Sequence, residues 1–291
     1  MNGQFDSELM NTKLASLFKD ACLCELEALK PGNVHIFADG HGMTVEDFIA
    51  SAKAASEVIA LPNLTVGARI LGAVEATQNA VGLNTNLGII LLCAPLIHAV
   101  LNRHYNDFLD DLKQTLQDLT IQDAALTFQA IRLANPAGLG TVTAHDVHQP
   151  ADCTLLVAMK EGAMRDRVAS QYANNFHDIF EFGLPRYEQY LTLWQRPAWA
   201  VTAVYLGYMA HYADSHIARK HGEVAANLVQ NLGQEHEAAF LSSYNPKNYL
   251  TPLLRFDTDL KSKHLNPGTS ADLTVATLLL HKLLTVYNSF T

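Results

Sequence analysis

Positive charge is scarce in this sequence. Its 291 residues hold 20 Lys and Arg against 29 Asp and Glu, a net charge of −9, with only 17% charged residues in all. A general nucleic-acid or membrane-surface binder shows a basic face, so neither partner is expected. Cysteine is scarce too. Cys22, Cys24, Cys93 and Cys153 sit in apolar or helical surroundings without metal-type spacing, and Cys22-x-Cys24 would put its thiols on different helix faces. They read as packing. No apolar run reaches membrane length: Leu87 to Leu101 is interrupted by Pro95 and His98 and falls short of the roughly 20 residues a span needs. The opening MNGQFDSELM has neither a basic start nor an apolar run, so no signal peptide is expected and a soluble cytoplasmic protein is. Repeated strand–helix units are missing, which argues against a Rossmann or barrel fold. So is a Walker A sequence, which excludes a P-loop kinase.

What remains is 49% apolar residues, arranged mostly at helical spacing. Thr44-x-x-Asp47 has the form of a capping box, followed by an apolar stripe of Phe48, Ala52, Ala55 and Ile59. Phe108, Leu109, Leu112, Leu116 and Leu119 form a second amphipathic helix. Thr120-x-x-Asp123 opens a third that ends at Asn135-Pro136. Further helical patterns cover 152–161, 165–181, 198–217, 224–232 and 270–287. Only VHIFAD, 34–39, alternates like a strand, while 61–63 and 244–252 read as loops. The expectation is an all-α protein: one globular domain over residues 1–291, built of roughly ten helices.

Five segments carry polar residues that a helical fold does not need. In the first, ELEALKPGNVH, Pro31 and Gly32 stop a helix, because Pro lacks an N–H and biases Lys30 away from helical backbone. That account leaves out Glu25, an acid among apolar neighbours near a helix end that disfavours it. The second, Gly82–Gly88, offers Asn84, Thr85 or Asn86 as a helix cap, or free N–H groups for an anion. The third, Asn135–His148, joins a Gly138-Leu139-Gly140 turn to His145, Asp146 and His148, which suits a surface turn, a metal or proton transfer. The fourth gathers Arg165, Arg167, Arg219, Lys220 and His221, with Asp166 and Asp214 as pairing acids. It reads equally as a solvated helix face or a phosphate clamp. The fifth, NPGTSADL at 266–273, starts a helix at Gly268, whose first turn could hold phosphate or set Asp272 against magnesium.

Taken in order, these segments resemble the triphosphoribosyl-dephospho-CoA synthase family. The matching motifs are Lys30–Gly32, Asn84–Gly88, Gly138–Asp146, Arg165–Tyr172 and Pro267–Leu273. Each is weak alone, and five in order are specific. The resemblance implies an all-α enzyme in which the 2′-hydroxyl of dephospho-CoA attacks ribose C1′ of ATP, adenine leaves, and the triphosphate stays on the transferred ribose. Such a displacement passes through an oxocarbenium-like state and needs a carboxylate near C1′ and a base for the hydroxyl. Glu25, Asp146 and Asp272 are the candidates, with His35 or His41 for proton transfer. The same three acids are the expected ligands of Mg2+ carried with ATP. Lys30, Gly32, Asn33, Asn84, Thr85, Gly138, Gly140, Arg165, Arg219 and Gly268 are the expected substrate contacts.

Two departures stand out. Synthases acting with citrate lyase usually show Asn-Thr-His-Lys-Gly, where this chain has Asn84-Thr85-Asn86-Leu87-Gly88. The segment after Lys-Pro-Gly is Asn33-Val34-His35 rather than Leu-Val-Asp. This pattern is similar to the branch found in archaea and in bacteria with methanopterin-type C1 cofactors. The expected partners are ATP with dephospho-CoA or another alcohol, such as a ribitol-bearing pterin intermediate, and a homodimer is left open. A non-catalytic nucleotide-binding protein is the alternative from another class.

Overall fold

The structure, a computed structural model, describes residues 2–105, 107–140 and 145–288, with side chains from Leu9 onward. Its helices are α1 (Asn2–Leu26), α2 (Val45–Ile59), α3 (Val66–Val81), α4 (Leu87–Leu101), α5 (Phe108–Gln117), α6 (Ile121–Ala134) and α7 (Leu155–Gly162). After them come α8 (Arg167–Ala173), α9 (Leu184–Trp194), α10 (Pro197–His211), α11 (Ser215–His221), α12 (Glu223–Ser242), α13 (Leu250–Ser262) and α14 (Gly268–Tyr287). The fold is all-α, with more and shorter helices than the ten expected.

Local chemistry explains the boundaries. Both capping boxes form: the Thr44 and Thr120 hydroxyls accept from the backbone of Asp47 and Asp123, and each carboxylate returns a bond to the cap. Asn135 closes α6 in left-handed backbone. Two long helical patterns break where side chains intervene. The run over 165–181 is split by left-handed Asn175 (φ 56°) and Phe176 (φ 61°), after which a π-turn covers Asp178–Gly183. The run over 198–217 stops at His211, because the Asp214 carboxylate accepts from His216 and Ile217 N–H and starts a new helix. The loop read over 244–252 holds a 3-10 turn, Pro246–Tyr249, and its last residues begin α13. Pro252 fits there because an N–H in the first turn has no helical partner. VHIFAD is not a strand. Its backbone closes tight turns, His35 with Ala38 and Gly40 with Met43, and no strand occurs among the described residues.

α4, α10 and α14 are buried on nearly every side and form the centre of the bundle. α14 packs against α1, α4 and α10, with α2, α3 and α6 outside α4, and α12 outside α10. Pro95 lies inside α4 and has no N–H for the Leu91 carbonyl. The buried Tyr172 hydroxyl donates to that carbonyl instead, at 2.6 Å. Among the described residues no helix is long and apolar enough to cross a membrane.

Candidate active site

Where α1 ends, its chain turns inward rather than outward. Lys30 is fully buried, and its ammonium donates to Glu25 Oε1 and, at 3.0 Å, to Asn33 Oδ1. Asn33 Nδ2 donates onward to Asn266 Oδ1 at 2.8 Å, tying this turn to the approach of α14. Burial raises the Glu25 carboxyl above its usual range and lowers the Lys30 ammonium below its own, while each partner pulls the other back towards charge. The Pro31 carbonyl accepts from Tyr205, and the Gly32 N–H donates to Asp257 Oδ1 at 2.8 Å. Gly32 has φ +85°, and a Cβ there would stand 2.8 Å from Leu260 and Pro267, so the turn needs glycine on both counts.

The first turns of α4 and α14 meet beside this wall. Asn86 precedes α4 but donates its amide to Thr77 instead of capping the helix. Gly88 sits in that first turn, and a Cβ on it would lie 2.0 Å from Asp272 Oδ2. The missing side chain is what lets the Asp272 carboxylate rest on the α4 N-terminus, the end of a helix that favours an acid. Even so, the Asp272 carboxyl is held well above the usual carboxylate range. Burial is the main cause, followed by the negative charges of Asp214, Glu25 and Asp166, with Arg219 pulling the other way.

Two of those acids are already engaged. Asp166 caps α8 through Oδ1 and receives Arg219 Nη1 on Oδ2. Asp214 caps α11 and takes both the N–H and the hydroxyl of Ser270, at 2.8 and 2.9 Å, which fixes α11 to the first turn of α14. Among the described residues it forms no ion pair with Lys or Arg, the pairing the sequence suggested. Arg167 points elsewhere, to Asp178 at 2.7 Å and over the Tyr212 ring. Arg165 is exposed at the cavity, and its side chain forms no ion pair among the described residues.

Together these elements line one cavity of about 510 Å³. Of the residues expected at a site, Glu25, Asn33, Asn84, Thr85, Gly138, Gly140, Asp146, Arg165, Arg219, Gly268 and Asp272 all line it. Lys30 and Gly32 stand one layer behind. His35 does not reach it: the ring is fully buried, with Nε2 3.3 Å from Asp257 Oδ1, and burial lowers its pKa below the usual value. His41 likewise binds the Gly32 carbonyl at 2.7 Å. The glycine loop is described up to Gly140 and again from His145. The motif residues 141–144 lie outside the described residues. Gly138 (φ +73°) lies against the Arg219 carbonyl, which a Cβ would approach to 2.5 Å. Asp146 Oδ1 accepts from the His148 N–H, and the Val147 carbonyl accepts from Arg132.

Another part of the lining carries no polar motif in the sequence. Phe48, Phe128, Ile131, Leu139, Leu155 and Met159 make it apolar. Phe48 belongs to the apolar stripe of α2 and Phe128 to α6, a pattern that reads as helix packing. Asn266, Thr269 and His216 were missed by the sequence reading. The Asn-Pro-Gly-Thr turn was the one signal for the first two. Glu25, Asp146 and Asp272 do not form one tight ligand set. Among the described residues, the group of three metal-ligating side chains with donor atoms within 4.8 Å is His145, Asp152 and Cys153. Hard oxygen donors around Asp272 do suit magnesium, which uses one or two carboxylates alongside substrate phosphates.

An all-helical body with a cavity lined by helix N-termini, acids, arginines and apolar side chains is the class that fold and site define. Within that class, residues 11–290 match the ATP:dephospho-CoA triphosphoribosyl transferase family, and the chain belongs to it. It is an enzyme of the triphosphoribosyl-dephospho-CoA synthase type, a pentosyl transferase. A crystal structure of a candidate triphosphoribosyl-dephospho-CoA synthase from Archaeoglobus fulgidus shares the fold. It has a TM-score of 0.60 and 19% identity, over 82% of this chain and 97% of that one. No curated protein matches the chain.

Proposed function

We propose that the cavity binds ATP with magnesium and transfers its triphosphoribosyl group to the 2′-hydroxyl of dephospho-CoA, releasing adenine. The acceptor oxygen bonds to C1′ as the bond from C1′ to adenine breaks. Adenine leaves with the electron pair and takes up a proton, and the hydroxyl proton passes to a base. Asp146, on the loop beside the cavity, is the residue we assign as that base, a role worth about 10²–10⁴-fold in rate. Glu25, held by Lys30, supplies negative charge to the ribose as it becomes oxocarbenium-like. Arg165 and Arg219 contact the triphosphate, and the first turn of α4 adds backbone N–H groups. Asp272 would hold the magnesium ion, which supplies charge neutralisation to the triphosphate when bound.

The observation that carries this reading is Asp272 itself. Its carboxylate lines the cavity with Glu25, Asp166 and Arg219 and rests against Gly88 in the first turn of α4, where burial and the negative charges of the acids raise its pKa and a cation would relieve it. An acceptor other than dephospho-CoA is supported by the apolar wall, and by Leu87, which lines the cavity where citrate lyase-associated synthases usually have a basic residue. Chromatography of adenine from ATP and Mg2+, with and without dephospho-CoA, tests the reaction. Release that requires dephospho-CoA, with a product of matching mass, is expected. Release only with a different alcohol would transfer the reading to that acceptor, and no release with any alcohol would overturn it.

A further inference from the structure

The sequence spacing offers no reason to connect Cys153 with His145, yet the fold brings them together through Asp152. His145 Nδ1 lies 2.7 Å from Asp152 Oδ1, and the Cys153 thiol lies against the same carboxylate. One ligand atom from each of the three falls within 4.8 Å of the others. The His145 side chain is 25% exposed and that of Asp152 is 70% exposed, so solvent ions reach the group. No Lys or Arg among the described residues forms an ion pair with Asp152. The hydrogen bond between His145 and Asp152 joins two of the side chains, and the thiol is the third, held between that carboxylate and the Ala158 N–H of α7.

We propose that His145, Asp152 and Cys153 bind one zinc-class divalent transition ion, at a site separate from the magnesium expected at Asp272. The donor set argues the ion class. Magnesium and calcium take oxygen ligands, whereas a thiolate with an imidazole selects zinc or its chemical relatives. Zinc bonds of about 2.0–2.1 Å to nitrogen, 2.0–2.2 Å to oxygen and 2.3 Å to sulfur require donors roughly 3.3–3.7 Å apart. The His145–Asp152 pair therefore opens by about 0.6 Å, and the sulfur, already within 4.8 Å of both partners, adjusts with it, movements within reach of side-chain rotation. On binding, Cys153 releases its proton to solvent, and the hydrogen bond to Asp152 gives way to metal bonds. Three protein ligands leave the fourth position to water.

The ion would act as a clip. His145 is in left-handed backbone (φ 51°) and lines the cavity next to Asp146, whereas Cys153 lies directly before Thr154, the cap of α7. A bound ion thus fastens the loop carrying Asp146 to the start of α7. The proposal does not rest on the transferase reading.

The chelator-stripped full chain titrated with Co2+ is the test. One equivalent is expected to give tetrahedral visible bands and a thiolate-to-cobalt charge-transfer band. Added Zn2+ should bleach both and raise Tm. Cys153→Ser should remove the charge-transfer band and weaken Co2+ binding at least tenfold, with an unchanged apo circular dichroism spectrum. Cys24→Ser, at another partly buried thiol, should change neither. His145→Gln provides the second variant should Cys153→Ser disturb folding. Absence of the sulfur band in the wild-type chain, or its survival in Cys153→Ser, would overturn the proposal.

Discussion

Glu25 and Asp272 border the same cavity, and burial raises both carboxyls, but their surroundings differ. Glu25 has a dedicated cation: Lys30 is fully buried and donates to it and to Asn33. Asp272 has a helix N-terminus and, further off, Arg219, against the charges of three other acids. The first acid belongs to a network that is complete within the protein. The second forms no ion pair among the described residues, and under the proposed function a magnesium ion would supply its cation. Sequence position does not reveal this difference: Glu25 precedes the Lys30–Gly32 motif and Asp272 lies within Pro267–Leu273, and neither motif says which acid has a partner.

The largest effect should come from Asp272→Asn. Adenine release is expected to fall by about 10²–10⁴-fold, the range associated with losing a main electrostatic or proton-handling group. The fold should gain rather than lose. Because the folded-state pKa of Asp272 lies above the unfolded one, its contribution is fully present below the ordinary carboxyl pKa of 3.8 and is lost as pH rises towards the folded value. The ligand-free wild type should therefore lose Tm over that rise, Asp272→Asn should lose less, and Mg2+ with ATP should restore the wild type. An identical Tm–pH profile in the variant would erase the contrast between the two acids.

Next in size is Lys30→Met, which strands Glu25 without its partner and should cost about 3–5 kcal/mol in denaturant unfolding. Adding Glu25→Gln should recover most of that loss. If stability returns and adenine release does not, Glu25 also acts on the ribose, as proposed; if both return, it is a structural acid and the contrast with Asp272 is complete. The smallest effect is expected for Arg165→Ala. This exposed side chain has nothing to release in the fold, so KM for ATP should rise about tenfold, in keeping with a lost charged hydrogen bond, with Tm unchanged.

Features written in short-range chemistry were legible from the sequence. The two capping boxes and the stop at Asn135 follow from residues a few positions apart, whereas the meeting of the five polar segments was implied by the family resemblance alone. What was not legible depends on partners far along the chain. His35 looked available until Asp257, more than 200 residues away, occupied it, and Cys153 looked like packing until the loop returned His145 to its neighbour. The expected helix over 165–181 failed for a related reason. Tertiary packing holds the wholly buried Phe176 in backbone that its own side chain disfavours.

The contact between Gly88 and Asp272 has a consequence for how this protein can change over time. The space that the carboxylate fills is the space a side chain at 88 would need. Position 88 cannot drift while the acid stays: a larger residue there evicts the carboxylate, and only a shorter residue at 272 removes the penalty on anything but glycine. In an alignment of relatives the pair should be inherited as a unit. Lineages that abandon the acid should be the ones in which the glycine is also free to vary, a signature by which loss of the chemistry could be dated from sequence.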